Sequence, residues 1–461
     1  MDKTHHHNKF LKLRKAYPYF VFQSYSIFRT KTHLQAKFLF SLAGKYTFQP
    51  EIEIPFRDFY DIERLSDKVI ENIIFHIGMV ELISYWKAAC PPKVIVLAGR
   101  LDEKQTAWWK KLYFHGLGEF FYLNDVTTDM ESFMEIIPGG KAGEISTVSL
   151  NSRQALVPVG GGKDSVVSLE LLKNSEFNVI PFLLNPREAG LRSINIAGFS
   201  KKEAIVVNRT LDPELLKLNE AGFLNGHTPF SALLAFVSAF TALLSGAGNI
   251  ALSNESSANQ STVPGSKINH QYSKSFEFEQ DFNWYLKHYI HPELRYFSFL
   301  RPLDELQIAY LFSGFPQHHF SFRSCNAGSK TDSWCGQCPK CLFTYVILSP
   351  FLPQEKLEKI FGKNLLKDEN LVPVMEELNG KAAVKPFECV GTPEEVNAAL
   401  WKSVEIKNVD NQFPLVKMAG NAKNRQNEQA FKSLLTRLNR EHLLPKNFFH
   451  IIKHAIADAA V

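Results

Sequence analysis

The stretch VPVGGGKDSVVSLELL, residues 157–172, constrains the fold more than any other part of the chain. Three glycines, a lysine, an aspartate and a serine lie between a strand-like run and a helical pattern. Glycines let backbone N–H groups approach an anion, and the following helix adds the positive end of its dipole. The stretch therefore predicts a strand, a phosphate-binding turn and a helix, with Asp164 or Ser165 capping the helix and the serine hydroxyl reaching a phosphate oxygen.

The segments around this turn predict an α/β fold. From residue 155, strand-like ALVPV, NVIPFLL, EAIVVNR and NIALS alternate with helical stretches, which is typical of a parallel sheet covered by helices. Residues 19–56 alternate apolar and polar side chains, which predicts an antiparallel meander. We therefore predict an N-terminal α+β domain over 1–150, a parallel-sheet domain over 151–350 and a mostly helical region over 351–461.

Composition and charge restrict the possible partners. The chain has 461 residues, of which 45% are apolar and 21% charged, as in soluble globular proteins. The net charge of 52 − 47 = +5 argues against a nucleic-acid binder. The first residues lack the apolar core of a signal peptide, and the apolar segment 229–248 carries Ser and Thr throughout, which favours a buried helix. We expect a cytoplasmic protein without membrane contact, and the oligomeric state stays unknown.

Four of the six cysteines lie close together in the sequence. Cys325, Cys335, Cys338 and Cys341 have the spacing C-x9-C-x2-C-x2-C. In a reducing compartment this spacing suits a closed tetrahedral zinc site. The alternative is a set of four reduced thiols without metal.

The glycine-rich run resembles a known ATP-binding loop. A Walker A loop has Ser or Thr after Gly-Lys, whereas Asp164 follows here. The run Gly160-Gly161-Gly162-Lys163-Asp164-Ser165 is similar to the Ser-Gly-Gly-x-Asp-Ser loop of N-type ATP pyrophosphatases, with glycine in place of the first serine. The resemblance implies that the loop binds the pyrophosphate of ATP with Mg²⁺ nearby, and that ATP is split into AMP and pyrophosphate.

Eight stretches in order extend the resemblance from about residue 20 to about 395. They are ISYWKAACP, FHGLGEF, VPVGGGKDS, SNESSANQS, NHQYSKSFEFEQDF, FSFLRPLDELQIAYLF, WCGQCPKC and KPFECVGT. Together they resemble the UDP-N-acetylmuramoyl-L-alanyl-L-glutamate epimerases of peptidoglycan precursor synthesis. The resemblance implies that the terminal L-glutamate of UDP-MurNAc-L-Ala-L-Glu is adenylated, loses its Cα proton and is reprotonated to D-glutamate.

Two other functions stay open at this point. The same ATP loop, followed by a similar cysteine pattern, occurs in 7-cyano-7-deazaguanine synthases, and a tRNA-modifying ligase is another adenylating enzyme that stays possible. The N-terminal 150 residues count against the synthase, which resembles only the loop and zinc regions. A zinc-stabilised nucleic-acid module without catalysis is disfavoured by the small net charge.

Polar residues after a predicted strand are candidates for the nucleotide site. Asn254, Glu255 and Asn259 follow NIALS, and ligands bind at strand carboxyl ends in open α/β sheets. We predict that Asn254 contacts the cofactor and that Glu255 holds magnesium or substrate. The alternative for Glu255 is a solvated loop acid.

Further candidates concern proton transfer and anion binding. His270, Tyr272 and Lys274 lie in one polar run and could act as proton donors, acceptors or anion contacts. Cys389, next to Glu388, is a candidate base, although a core position is the more common role of cysteine.

The remaining polar candidates have less specific roles. Arg301 and Arg323 could pair with carboxylate or phosphate. His115 and Glu119 either line the sugar or uridine pocket or shape a turn.

Overall fold

A computed structural model describes residues 3–263, 265, 268–419 and 425–457. The chain divides into two compact units that are interleaved in sequence. The first unit comprises 1–156, 205–250 and 267–295, and the second comprises 157–204, 251–266 and 296–461. Both contain strands and helices, so the predicted mixed α/β class is confirmed, and the three sequential domains stay a prediction.

The first unit contains a mixed sheet. Its strands run in the order Ile205–Thr210, Glu51–Pro55, His33–Leu42, Tyr19–Arg29, Lys93–Val96, Glu135–Pro138, and Tyr46–Phe48 pairs with His33–Leu42. Strand His33–Leu42 pairs antiparallel with Tyr19–Arg29 and with Glu51–Pro55, and Glu51–Pro55 pairs antiparallel with Ile205–Thr210. Strand Lys93–Val96 pairs in parallel with Tyr19–Arg29 and with Glu135–Pro138. The predicted antiparallel meander over 19–56 is therefore confirmed.

Alternating side chains explain why these strands form. In His33–Leu42 every second side chain is buried until the strand reaches its end, and Glu51–Pro55 repeats the pattern. The buried side chains include phenylalanines, and Phe22 stacks on Phe75 with ring centroids 5.9 Å apart. These buried phenylalanines form an aromatic core between the sheet and helix Asp67–Trp86.

The helices of the first unit include two very apolar ones. The helices are Lys3–Ala16, Asp67–Trp86, Glu103–Gly116, Gly118–Leu123, Pro213–Glu220, Phe230–Ser245, Phe276–Tyr289. Among the described residues, Asp67–Trp86 has the length and apolar composition to cross a membrane, and 94% of its most apolar window is buried. Phe230–Ser245 is also buried and ends at Gly246, which confirms the buried helix expected over 229–248.

Three further strands end within the residue ranges of the second unit. These strands are Asn151–Pro158, Ala247–Leu252 and Arg295–Ser298, and they are joined by Asn178–Leu184. The first two pair in parallel, as the sequence predicts, with Ile250 opposite Leu156. Candidate polar residues follow two of these strand ends, which is where ligands bind in open α/β sheets.

The helices of the second unit extend from the glycine-rich turn to the C-terminal region. They are Lys163–Lys173, Glu188–Ile196, Glu305–Ser313, Pro339–Leu348, Gln354–Phe361, Val372–Leu378, Pro393–Glu405, Pro414–Ala419, Arg425–Thr436, Lys446–Ala455. Six of these helices follow residue 351 in the described part of the chain, and the helical region over 351–461 as a separate domain stays a prediction.

Candidate functional site

The glycine-rich turn lies between strand Asn151–Pro158 and helix Lys163–Lys173. Gly161 has φ +87°, and a Cβ at this position would lie 2.5 Å from the backbone nitrogen of Gly190. Glycine is therefore required at 161 for both conformation and space. At Gly160, by contrast, an added Cβ would meet no atom of the described residues within 4 Å.

The start of the helix differs from the sequence prediction. The N-cap residue is Gly162, which lacks a side chain with which to cap, so the prediction of a cap by Asp164 or Ser165 is wrong. The Ser165 hydroxyl instead accepts a bond from the Gly161 N–H at 3.1 Å and donates to the Gly162 carbonyl at 3.0 Å. The hydroxyl thus fixes the turn, and its contact with a phosphate oxygen stays a prediction.

Lys163 is the buried cation of a cluster that we call the lysine cluster: Lys163, Asp164, Glu305 and Glu395. Its Nζ donates to Asp164 Oδ1 and Glu305 Oε2, and only 4% of the residue is exposed. Burial alone favours the neutral amine, but the two carboxylates outweigh it, so the pKa of Lys163 lies above its usual range. The lysine therefore stays an ammonium that holds the turn against helix Glu305–Ser313.

Glu395 connects two helix N-termini in the same cluster. Its Oε1 accepts the Glu305 N–H at 2.6 Å, and its Oε2 accepts the Thr392 N–H at 2.7 Å within a capping box. Burial, followed by the charge of Asp304, raises the pKa of Glu395 to about 7. Sequence reasoning missed Glu305 and Glu395, although the capping-box patterns that start at Asp304 and Thr392 were visible.

The segment after strand Ala247–Leu252 packs beside this cluster. Asn254 Nδ2 donates to Ser298 Oγ at 3.0 Å, and the Glu255 backbone carbonyl accepts a 2.7 Å bond from Arg301. Arg301 is fully buried and also lies 3.5 Å from Asn259 Oδ1. The carboxylate of Glu255 is buried and acts electrostatically on Glu305, so it is not a solvated loop acid.

The four clustered cysteines approach one another as the zinc prediction requires. The Sγ–Sγ distances are 3.8 Å for Cys325–Cys338, 3.7 Å for Cys335–Cys341 and 3.5 Å for Cys338–Cys341. All six cysteines of the chain are free thiols. A tetrahedron with Zn–S bonds of about 2.3 Å has edges of about 3.8 Å, so the thiol geometry fits zinc.

The remaining candidates of the second unit lie at its surface or near the cysteines. Cys389 is half-buried rather than a core residue, and its neighbour Glu388 accepts a 2.8 Å bond from Asn326. Arg323 donates its backbone N–H to the Gly161 carbonyl at 2.8 Å, which places its backbone, rather than its guanidinium, against the turn.

The first unit contains a second group of titratable side chains, the histidine cluster of Glu119, His227 and His270. Glu119 Oε2 accepts a bond from His270 Nδ1 and lies 3.5 Å from His227 Nδ1. Burial, followed by the charge of His270, lowers the pKa of His227 to about 4. Sequence reasoning missed His227, because a lone histidine in a loop carries no local signal.

Two further predicted residues, Lys274 and Tyr272, also lie in the first unit. The charge of Lys274 contributes to the lowered pKa of His227, and the Tyr272 ring lies 5.0 Å from His115. His115 lines a cavity of about 960 Å³ within the first unit. The other lining residues are His7, Asn8, Phe114, Gly118, Phe121, Tyr122, Leu123, Asp125, Val126, Thr127, Thr128, Ile268. The segment FHGLGEF forms a helix–helix junction here rather than a glycine-rich turn.

The structure therefore brings the predicted site residues together in separate groups. Lys163, Asp164 and Glu255 belong to the second unit with the four cysteines, and His270 and Lys274 belong to the first.

Comparisons with known proteins agree on one family. A family model described as the MurL N-terminal domain matches residues 12–299, and one described as the MurL C-terminal domain matches residues 321–433. No solved structure matches at a significant level.

Three curated relatives share the name UDP-N-acetyl-alpha-D-muramoyl-L-alanyl-L-glutamate epimerase. The protein of Salinispora tropica is 38% identical over 69% of this chain and 70% of its own length. The protein of a Micromonospora species is 35% identical over 83% and 86%, and that of Xanthomonas oryzae pv. oryzae is 36% identical over 72% and 74%. The chain therefore belongs to the MurL epimerase family.

Proposed function

We propose that this protein is an ATP-dependent isomerase that inverts the terminal L-glutamate of UDP-MurNAc-L-Ala-L-Glu to D-glutamate. The observation that carries the proposal is the match to three proteins named as this epimerase, over 69%, 83% and 72% of the chain. The substrate is accordingly a small molecule, a nucleotide-linked muramyl dipeptide.

The chemistry explains why ATP is needed. An ionised carboxylate resists removal of its α-proton, because the product would carry additional negative charge. Attack of the glutamate α-carboxylate on the α-phosphorus of ATP breaks the α–β phosphoanhydride and releases pyrophosphate. In the resulting acyl adenylate the Cα–H is more acidic. A base removes this proton and an acid returns one to the opposite face. Water then cleaves the acyl–phosphate bond and yields AMP and UDP-MurNAc-L-Ala-D-Glu.

The glycine-rich turn supports ATP binding in a PP-loop fold. Gly160 is exposed and Gly162 is half-buried at the start of helix Lys163–Lys173, where anions are favoured. Asp164, whose carboxylate is 32% exposed, and Glu255 are the residues that would hold Mg²⁺, which when bound neutralises phosphate charge. Lys163 holds the turn through its ion pairs. The four cysteines would hold a structural zinc, for which their sulfur spacing is suitable.

The proton-transfer residues stay predictions. His270, Lys274 and Cys389 are the candidates, and His270 is supported by its bond to Glu119, which would orient its ring.

An isotope experiment tests the function directly. The protein is incubated with UDP-MurNAc-L-Ala-L-Glu, ATP and Mg²⁺ in deuterium oxide, followed by mass spectrometry, chiral analysis of the glutamate and measurement of AMP. We expect ATP-dependent D-glutamate that has gained one mass unit. Formation of D-glutamate at an undiminished rate without ATP would contradict the adenylation step.

A pair of acid variants tests the role of the loop. Asp164→Ala should abolish AMP and pyrophosphate release, because it removes a carboxylate at the turn. Glu188→Ala is the matched control, since this side chain is 60% exposed on the neighbouring helix, and it should keep the wild-type rate. An active Asp164→Ala protein would overturn the assignment of the loop.

A further inference from the structure

The histidine cluster has the donor set of a metal centre. Glu119, His227 and His270 each offer one ligand atom, and these three atoms lie within 4.8 Å of one another. We propose that these residues bind a divalent transition-metal ion, in addition to any zinc at the four cysteines, and His270 then serves as a ligand while Lys274 and Cys389 are the candidates for proton transfer.

Three separate chain segments meet to form this donor set. Glu119 lies in the short helix Gly118–Leu123, His227 in the loop before helix Phe230–Ser245, and His270 in the segment before helix Phe276–Tyr289. The close approach of the first two depends on Gly116, where a Cβ would lie 2.8 Å from Cβ of Pro229. The Lys87 ammonium also donates to the Gly226 carbonyl and fixes the loop next to His227.

The ligand types select the kind of metal, because the neighbouring charges act alike on every divalent cation. Lys87 and Lys274 both act electrostatically on His227, so the single carboxylate of Glu119 is offset by two ammonium groups. A hard cation such as Mg²⁺ or Ca²⁺ requires several oxygen ligands and is disfavoured by this donor set. Two imidazoles and one carboxylate instead suit ions such as Zn²⁺, Co²⁺ or Fe²⁺, which are bound by imidazole nitrogen.

Exposure distinguishes this site from the cysteine cluster. The side chains of Glu119, His227 and His270 are 12%, 26% and 14% exposed. Three protein ligands that solvent can reach leave coordination positions for water or a substrate oxygen, whereas four thiolates close a tetrahedral site. The inferred centre is therefore one at which a metal can contact a small molecule.

Cobalt reconstitution of the full-length protein tests the proposal. Metal is removed under reducing conditions, Co²⁺ is added, excess ion is removed, and cobalt per chain is measured by elemental analysis. The visible spectrum separates the sites, because thiolate ligands give charge-transfer bands and nitrogen and oxygen ligands do not. We expect His227→Ala to bind about one Co²⁺ per chain less than wild type while its thiolate charge-transfer bands are unchanged.

His115→Ala is the matched control, since it removes a nearby imidazole that does not belong to the cluster, and it should keep the wild-type cobalt content. Circular dichroism of His227→Ala checks that it is folded. Equal cobalt content in wild type and folded His227→Ala would overturn the proposal. If His227→Ala is not folded, Glu119→Gln replaces it, with the same expected loss and the same contrary result.

Discussion

The lysine cluster and the histidine cluster use charged side chains in opposite ways. In the lysine cluster the ammonium of Lys163 is neutralised internally by Asp164 and Glu305, and Lys163 and Glu305 are almost fully buried. In the histidine cluster the three side chains keep partial exposure. A buried, internally paired charge mainly maintains structure, because removal of one partner leaves the other uncompensated. Partly exposed side chains such as those of the histidine cluster contribute less to stability than buried ion pairs do, and a ligand can reach them.

The largest expected effect comes from a substitution that breaks the lysine cluster. Lys163→Met should lower the free energy of unfolding by about 3–5 kcal/mol, because Glu305 would stay buried without its counter-charge. His227→Ala should change it by less than about 1 kcal/mol. Denaturant unfolding of both variants measures the difference. If Lys163→Met is not obtained folded, Lys163→Met combined with Glu305→Leu should restore stability. Equal losses from Lys163→Met and His227→Ala would contradict the comparison.

A smaller effect follows from the titration of Glu395. Its pKa is raised to about 7 in the folded state from about 4.5, so the folded protein holds a proton that the unfolded chain has lost. The stabilisation is complete below pH 4.5 and is lost as the pH rises to about 7, by on the order of 3 kcal/mol. The stability advantage of wild type over Glu395→Gln should therefore shrink across this range. Denaturant unfolding of both proteins at several pH values measures this advantage. An advantage of wild type that grows with pH would contradict the prediction.

The smallest effects distinguish two adjacent glycines of the turn. Gly161→Ala should cost about 1–3 kcal/mol, because φ is +87° and the new Cβ would meet the Gly190 nitrogen. Gly160→Ala should change stability by less than about 0.5 kcal/mol, since space surrounds that position. Thermal unfolding of the two variants gives the contrast. Similar midpoints would mean that the rigidity of the lysine cluster does not extend into the turn.

Local patterns made part of this molecule predictable. The meander, the strand–turn–helix around Gly161 and the four-cysteine group depend on residues that are close in sequence, and alternation, glycine and spacing reveal them. The histidine cluster was not predictable, because Glu119 and His227 meet only through tertiary packing. The same holds for Lys163 and Glu305, which are 142 residues apart.

Glu395 has a consequence for how the chain can be divided. Its carboxylate joins the starts of helices Glu305–Ser313 and Pro393–Glu405, and the first of these helices carries the partner of Lys163. A fragment that ends near residue 350 would keep the glycine-rich turn but lose this connection. The turn and the C-terminal helices are therefore structurally connected. Truncating or replacing the residues after about 350 should alter the turn as well.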